Sequence, residues 1–407
     1  MINLSKNKCV HGQAPLVWLG IAFLLGLSAC AQAPKSTNQA ENTPLVFPSP
    51  PDQPRFYFER TIFSDSDIVG GGNKKSLSMG SVKDFLVGES TVGPTAAVLW
   101  KPYAIAVHRG RIFVSEPASR VIKVFDVPEG RYFTIGENNA ASLLSPIGID
   151  VDAEGNLYVA DGGLRGVQVI MVYDRDGNFL RKLGVPKIRS GDKDADGQPP
   201  FFSKLISLAV EKKADIDGLQ RIYAVDLGGS RSAIPTHRVR VLDAKNGELL
   251  FDIGERGSGP GQFNLPRDVV IGKENNIYVV DGGNFRVQVF SPSGKYLHEF
   301  GQIGKTLGSF ARPKEIAVDA DGNVYVIDTI FANFQIFNAQ GQLLMHIGSG
   351  SPDIESPARY KLPSGIAVDE DGRVYVVDQL FKKIDIFRPA ALSPQDGYSG
   401  SKKKSGT

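Results

Sequence analysis

Between Leu99 and Arg388 short apolar and polar runs alternate with period two, and the pattern recurs six times. Each unit carries an aliphatic or aromatic run ending in an acid: "IFVSE" to Glu116, "LYVAD" to Asp161, "IYAVD" to Asp226, "IYVVD" to Asp281, "VYVID" to Asp328 and "VYVVD" to Asp378. Intervals between these acids run from 45 to 65 residues, the spacing of propeller blades or arrays. A shorter apolar run precedes each one, beginning at Ile105, Ile149, Leu208, Val269, Ile316 and Ile366, with Pro102, Pro146, Leu205, Pro266, Pro313 or Pro363 three residues upstream. Turns such as "DADGN" and "DEDGR" separate the two runs and supply Asp and Gly for left-handed backbone.

Five residues past the acid stand Val121, Gly166, Arg286, Asn333 and Lys383; the third unit alone takes twelve, reaching Arg238. An alternating run follows ("IKVFD", "VQVIM", "VRVLD", "VQVFS", "FQIFN", "IDIFR"), and most units close with G-x-x-L…G, as in "GKYLHEFG". That makes four strands per unit. Helical periodicity is missing between them, which excludes helix-linked parallel sheets. The predicted fold is all-β: a six-bladed β-propeller of four-stranded antiparallel blades. The sixth unit lacks a fourth strand after "IDIFRP", while "RFYFERTIF", Arg55–Phe63, stands alone upstream. That strand is expected to complete the last blade and close the ring. The domain then spans 55–390, with repeats from 99 and a free tail over 391–407.

The first residues follow another pattern. Lys6 and Lys8 precede the apolar run Ala14–Cys30, ending "LSAC". A basic segment, an apolar segment and small residues make an export signal over 1–29, and the run is short for a membrane span. Leu27-Ser28-Ala29-Cys30 resembles the bacterial lipobox, which implies cleavage before Cys30 and lipidation of its thiol. Ala31, not Asp, follows, and the resemblance then implies the outer rather than the inner membrane. The only cysteines are Cys9 and Cys30, so the domain is expected to hold no disulfide and no cysteine chemistry. Residues 30–54 carry six prolines among small polar residues and read as an extended tether.

Lys6 and Lys8 are the only lysine, arginine or acidic side chains of 1–29; without them the basic residues match the 44 acidic ones. A neutral domain offers no general attraction for nucleic acid. The glycine-rich "GERGSGPGQFNLP", Gly254–Pro266, has the look of a phosphate cradle, but it joins one strand to another. No helix N-terminus follows it and no Gly-Lys-Ser/Thr is present, so it reads as an inter-blade connector.

The unit Gly257–Gly301 closely resembles the NHL repeat, and Gly308–Gly348 nearly as well. The resemblance covers about Leu99–Arg388 and implies a binding platform. Some similar propellers are zinc lyases or lactonases, with histidines converging on the central channel. Here His108 ends an inner strand, His237 lies in an insertion, and His298 and His346 fall on outer strands, too far apart for Zn–N bonds of about 2.0–2.1 Å. Asp268 and Glu315 occupy equivalent positions one residue before the inner apolar run. Ala104, Gly148, Ser207 and Gly365 complete that ring. The two carboxylates read either as a channel-mouth site that binds a cation or moves a proton, with His108 as a third member, or as charges neutralised by Arg267 and Lys314 beside them.

Asp192, Asp194 and Asp196 before Gly197 resemble a calcium loop, without the usual acid at the twelfth position, Ser203; calcium there would be structural. Arg238, Arg286, Asn333 and Lys383 are expected to pair with Asp226, Asp281, Asp328 and Asp378. No other cofactor is expected, and no CxxCH occurs. The reading is a monomeric, lipid-anchored envelope scaffold whose loops Pro186–Phe202 and Gly228–His237 meet a protein partner. Resemblance to exported NHL lipoproteins found beside multihaem cytochrome systems suggests assembly of an envelope or electron-transfer complex. The alternative is a lyase- or lactonase-like enzyme with metal in the channel.

Overall fold

The computed structural model describes residues 44–68, 97–137, 141–162, 168–184, 201–228, 237–354 and 356–400. Cys30, the Asp192–Gly197 motif and most of both expected partner loops lie outside them.

Six antiparallel sheets of four or more strands make up the ring. Blade 1, from the inside outward, is Ile105–His108, Arg111–Glu116, Val121–Asp126 and Arg131–Ile135. Blade 2 is Pro146–Val151, Leu157–Asp161, Val169–Tyr173 and Phe179–Leu183. Blade 3 is Leu205–Val210, Arg221–Leu227, His237–Asp243 and Leu249–Ile253. Blades 4 and 5 start at Pro266–Ile271 and Pro313–Val318 and end at Tyr296–Phe300 and Leu343–Ile347. Blade 6 is Pro363–Val368, Val374–Asp378 and Lys383–Pro389. Its fourth strand is Phe56–Ile62, which runs antiparallel to Lys383–Pro389 with Phe56 opposite Pro389 and Ile62 opposite Ile384. The expected closure is what the chain does.

Six apolar clusters lie between neighbouring blades, one per interface. In Ile277–Asp281, Ile277 and Val279 face blade 3 while Tyr278 and Val280 face blade 5. Both faces of such a strand are buried, so it reads as an almost unbroken apolar run, and register is fixed by which neighbour each side chain meets.

The acid ending each second strand anchors the incoming connector. Asp328 accepts hydrogen bonds from the N–H groups of Ala311 (2.7 Å), Arg312 (2.9 Å), Ile330 (2.9 Å) and Phe331 (3.0 Å). Asp378 does the same for Lys361, Leu362, Leu380 and Phe381. Asp161, Asp226 and Asp281 take donors from Ser145, Lys204 and Asn264, and Glu116 from Trp100. A loop crossing from rim to hub must satisfy its own backbone, and a buried carboxylate with several lone pairs does so compactly. The first acid of the Asp-Gly turns reaches beyond its own turn, for Asp319 and Asp369 also accept the hydroxyls of Tyr325 and Tyr375, each at 2.8 Å.

Four details depart from the sequence expectation. In blade 2 Asp161 lies opposite Val169, so its third strand is "VIMVY", two residues beyond the expected "VQVIM". The second unit therefore breaks the five-residue count as well as the third. Sheet structure begins before residue 55, because Val46–Phe47 pairs with Phe56–Tyr57 as a fifth strand and Phe47 packs on Phe387 with centroids 5.6 Å apart. Residues 391–400, read as free tail, are held: the buried Arg373 guanidinium donates to the Asp396 carbonyl at 2.9 Å, and Ser399 Oγ meets Tyr375 Oη at 2.8 Å. Finally, His237 opens the third strand of blade 3 rather than lying in a loop, buried, with Nδ1 at 3.2 Å from the Phe263 carbonyl.

Candidate functional site

The inner strands follow one another around the axis in blade order, and three positions about the entry of each are equivalent in every blade. Residues preceding the turn-in proline, or its counterpart, form the outermost ring: Lys101, Ser145, Lys204, Leu265, Arg312 and Leu362. Residues following it form the second: Tyr103, Ile147, Ile206, Arg267, Lys314 and Ser364. The third is the expected ring of Ala104, Gly148, Ser207, Asp268, Glu315 and Gly365.

Contacts between neighbours confirm that third ring. Ser207 Oγ donates to Asp268 Oδ1 at 2.5 Å. A Cβ on Gly148 would stand 2.5 Å from Ser207 Cα, and one on Gly365 would stand 3.2 Å from Glu315 Oε2 and 3.1 Å from the Tyr103 carbonyl. Glycine is required at Gly148, and a side chain at Gly365 would press on its neighbours, because the strands converge there. All members except Glu315, which is partly buried, are buried.

Both carboxylates tie one blade to the next. Asp268 Oδ2 accepts the N–H of Ile316 at 2.9 Å, and Glu315 Oε2 that of Ile366 at 3.2 Å. Asp150 in blade 2 does likewise for Val210 at 2.9 Å. These partners exist because each inner strand is an edge of its sheet, so alternate N–H groups have no ladder partner. Burial pushes Asp268 up to about 6, opposed by the Ser207 and Ile316 hydrogen bonds and assisted by Asp150. Burial also raises Glu315 well above its usual range; the charge of Asp268 adds to this and Lys314 opposes it.

The expected neutralisation by Arg267 and Lys314 takes another form. Lys314 Nζ lies 3.9 Å over the ring of Tyr103, reaching across the small residues of blade 6. Burial lowers this ammonium to about 8; Glu315 and Asp268 hold it up while Arg267 and Arg312 push it down. Arg267 itself is exposed at the rim.

His108 does not join this group. It is four residues beyond Ala104 on the same strand, roughly 13 Å further along the axis at about 3.3 Å per residue. There its Nδ1 meets Glu370 Oε1 at 2.8 Å. His298 and His346 lie on outermost strands, as expected. Of the expected polar arc, Arg238 reaches Asp226 at 3.2 Å and Arg286 reaches Asp281 at 3.0 Å. Lys383 pairs with Asp385 at 2.9 Å instead of Asp378, because Asp378 is already filled by backbone donors, and so is Asp328 beside Asn333. Among the described residues no group of three or more His, Cys, Asp or Glu is placed to hold a metal ion.

The connector that opened the phosphate question is a packed joint. Gly261 N–H donates to Gln288 Oε1 at 2.8 Å, and Gln288 Nε2 donates to the Gln262 carbonyl at 2.7 Å. Gln335 repeats this in blade 5, accepting from Gly308 at 2.6 Å and donating to Ser309 at 2.9 Å. Gly254 has φ +78°, and a Cβ there would run into the Phe263 ring.

The same face carries large exposed apolar side chains: Trp100 (51%), Ile303 (69%), Ile330 (62%) and Leu380 (53%). Ile330 and Leu380 hold equivalent turn positions in blades 5 and 6, two residues past the anchoring acid. Lys382 Nζ stacks 4.3 Å from the Trp100 ring, joining blade 6 to the blade 1 connector. In the sequence these residues look like core.

The sequence profile of the NHL repeat matches residues 263–290. The chain is similar to NHL repeat-containing protein 3 of Homo sapiens, 27% identical over 186 residues, covering 44% of this chain and 48% of that protein. It thus spans about half the length of the curated relatives it matches. In fold it is similar to a structural genomics protein of unknown function from Bacteroides thetaiotaomicron, with a TM-score of 0.52 and 16% identity over 81% of this chain and 75% of that one. A gluconolactonase from Xanthomonas campestris reaches a TM-score of 0.50 at 16% identity, over 72% and 86% of the two chains. These similarities agree on a propeller containing NHL-type sequence. At these identities they carry fold and no activity.

Proposed function

We propose that the chain is a lipid-anchored, extracytoplasmic scaffold whose loop face binds a protein partner in the cell envelope. The observation that carries the reading is the set Trp100, Ile330 and Leu380, exposed on rigid turns across blades 5, 6 and 1. Ile330 and Leu380 repeat at the same turn position of adjacent blades, and aromatic and aliphatic anchors on rigid loops are what interfaces are built around. The lipobox-like "LSAC" supports anchoring through Cys30. The separation of His108 from Asp268 and Glu315 counts against a shared catalytic centre of the three. The match to NHL-type sequence agrees with a platform role.

The test compares Ile330→Asp/Leu380→Asp with Ile216→Asp, whose side chain is fully exposed on a hairpin elsewhere. Each protein is recovered from gently solubilised membranes after cross-linking. The scaffold reading expects one stoichiometric partner with wild type and with Ile216→Asp, and its loss from the double variant at unchanged thermal midpoint. Equal recovery with all three would overturn the face assignment. Anchoring is separate: Cys30→Ser is expected to move the chain from the membrane fraction to the soluble one, and retention in the membrane would refute the lipid.

A further inference from the structure

Beyond the scaffold reading, and independent of it, we infer that the groove between blades 5 and 6, at the end of the ring opposite the loop face, is a peptide seat. Its occupant is a Gly-x-Ser or Gly-x-Thr turn of a partner protein, held by Asp321 and Tyr325. A cavity of about 370 Å³ opens there, with Phe56, Ile336 and Met345 on its apolar side and Asp319, Asp321 and Tyr325 on its polar side, a size that suits a short ligand. The repeat itself shows what such a groove holds. Between blades 6 and 1 the equivalent residues are Asp369, Asp371 and Tyr375, and the chain's own segment Asp396–Ser399 lies on them. Asp371 Oδ2 accepts the Tyr398 N–H at 2.6 Å. Tyr375 Oη donates to Asp369 Oδ2 at 2.8 Å and meets Ser399 Oγ at 2.8 Å. Gly397 has φ +78°, and a Cβ there would stand 2.1 Å from Asp371 Oδ2, so the acid closes on a glycine. Blade 1 supplies the far wall: a Cβ on Gly110 would stand 2.8 Å from Pro128 Cγ and 2.9 Å from the Tyr398 carbonyl.

Blade 5 repeats these parts. Asp319 accepts the Asp321 N–H at 3.0 Å and the Tyr325 hydroxyl at 2.8 Å, as Asp369 accepts those of Asp371 and Tyr375. Gly372 and Pro389 make the far wall: a Cβ on Gly372 would stand 3.2 Å from Pro389 Cγ, with no other described atom beyond its chain neighbours within 4 Å. Among the described residues the Asp321 carboxylate accepts no hydrogen bond, and Tyr325 Oη makes only the one it donates to Asp319. Each therefore keeps an acceptor, one for a main-chain N–H and one for a hydroxyl. Glu370 and Asp371 also line the groove but are engaged toward blade 1, by His108 and the Tyr398 N–H. One part differs. Arg373 donates to the Asp396 carbonyl, whereas its counterpart Asn323 is held by Asp319 at 2.7 Å. The exposed Arg55, at the edge of the same groove, offers a guanidinium in its place. Main-chain donors with one side-chain contact are a common mode of peptide recognition. The chain's own segment is committed to blade 6, which leaves the blade 5 seat to a partner.

The test uses the purified full chain and a fluorescently labelled peptide Ser-Pro-Gln-Asp-Gly-Tyr-Ser-Gly, the sequence of residues 393–400, read by anisotropy. The expected result is saturable one-to-one binding, weakened about fivefold by Asp321→Ala and by Tyr325→Phe, the loss of one hydrogen bond each, and unchanged by Tyr375→Phe. A peptide carrying Ser399→Ala is expected to bind the wild type more weakly than the parent peptide, and to bind Tyr325→Phe equally well. No saturable binding at millimolar peptide would overturn the proposal. So would binding insensitive to Asp321→Ala, an exposed change that remains readable if Tyr325→Phe fails to fold. Weakening by Tyr375→Phe alone would mean that the peptide displaces the chain's own segment on blade 6, and would overturn it too. Sedimentation without peptide is expected to show a monomer; a dimer that the peptide dissolves would give the seat to a second copy and overturn the partner assignment.

Discussion

A carboxylate enclosed by six inner strands is hard to ionise, and Asp268 carries that penalty into the stability of the ring. Its folded value of about 6 lies above the ordinary 3.8, so the native state holds the proton more tightly than the unfolded chain. The stabilisation is fully present below pH 4 and is lost as pH rises through 6. A shift of about two units corresponds to about 3 kcal/mol. Asp369, also raised to about 6 by burial, adds a contribution of the same sign. Asp268→Asn removes the Asp268 contribution and leaves those of the other raised carboxylates, Asp369 and Glu315 among them. Urea unfolding from pH 4 to 7.5 is expected to show the wild type losing about 2–3 kcal/mol relative to the variant across that window. A constant difference would mean that Asp268 is ionised throughout. The ring containing this residue was legible in the sequence because the proline and the inner apolar run place it at one offset in every blade. Its hydrogen bonds were not, since they depend on which groups of the neighbouring inner strands lie opposite it, which periodicity does not reveal. The distance of His108 follows from counting residues along one strand, which the expectation of a shared site overlooked.

At the scale of the element, the acid closing each second strand was visible as the repeat's landmark, while its work as an anchor was not. Asp328 satisfies four backbone N–H groups from two different loops. Replacing it by Ala leaves four partly buried donors without partners, each costing about 1 kcal/mol. Asp328→Ala is expected to lower stability by about 3 kcal/mol or more, and Asp328→Asn by less because one carbonyl oxygen survives. Denaturant midpoints give the size, and amide exchange should accelerate first at Ala311, Arg312, Ile330 and Phe331. Exchange faster elsewhere but unchanged at those four amides would contradict the anchoring role. The misplaced third strand of blade 2 has a simple cause. "VQVIM" and "VIMVY" differ by two residues, and a shift of two keeps every side chain on its face. Alternation cannot separate such registers; only the partner strand can, by setting Val169 against Asp161.

For the whole molecule, the number of blades and the closing strand were readable because missing and surplus strands matched at the two ends. The apolar loop face was not: Ile330 and Leu380 are the same residue types as the core, and only position on the ring separates exposed from buried. Closure also decides how the molecule fails. Phe56–Ile62 covers Ile384, Ile386 and Phe387, all at 0% exposure, and its Glu59 accepts from Arg373 Nε at 2.8 Å, with Arg373 fully buried. Deleting residues 44–62 uncovers those side chains, opens the edge of blade 6 and takes from a buried guanidinium its shorter carboxylate contact, leaving Asp371 at 3.4 Å. Breaking a buried pair from one side costs up to about 3–5 kcal/mol, less here because Asp371 remains, and the uncovered apolar area adds to it. The deletion is expected to abolish cooperative melting or lower the midpoint by more than about 10 °C, given that 1 kcal/mol moves a chain of this size by about 2–4 °C or less. Glu59→Gln separates the two causes, since it keeps the strand and removes only the charge. If Glu59→Gln melts as poorly as the deletion, the ion pair closes the ring; if it loses a small part, the strand does. A deletion variant that melts like the full chain would show that six inner strands hold their circle without a clasp.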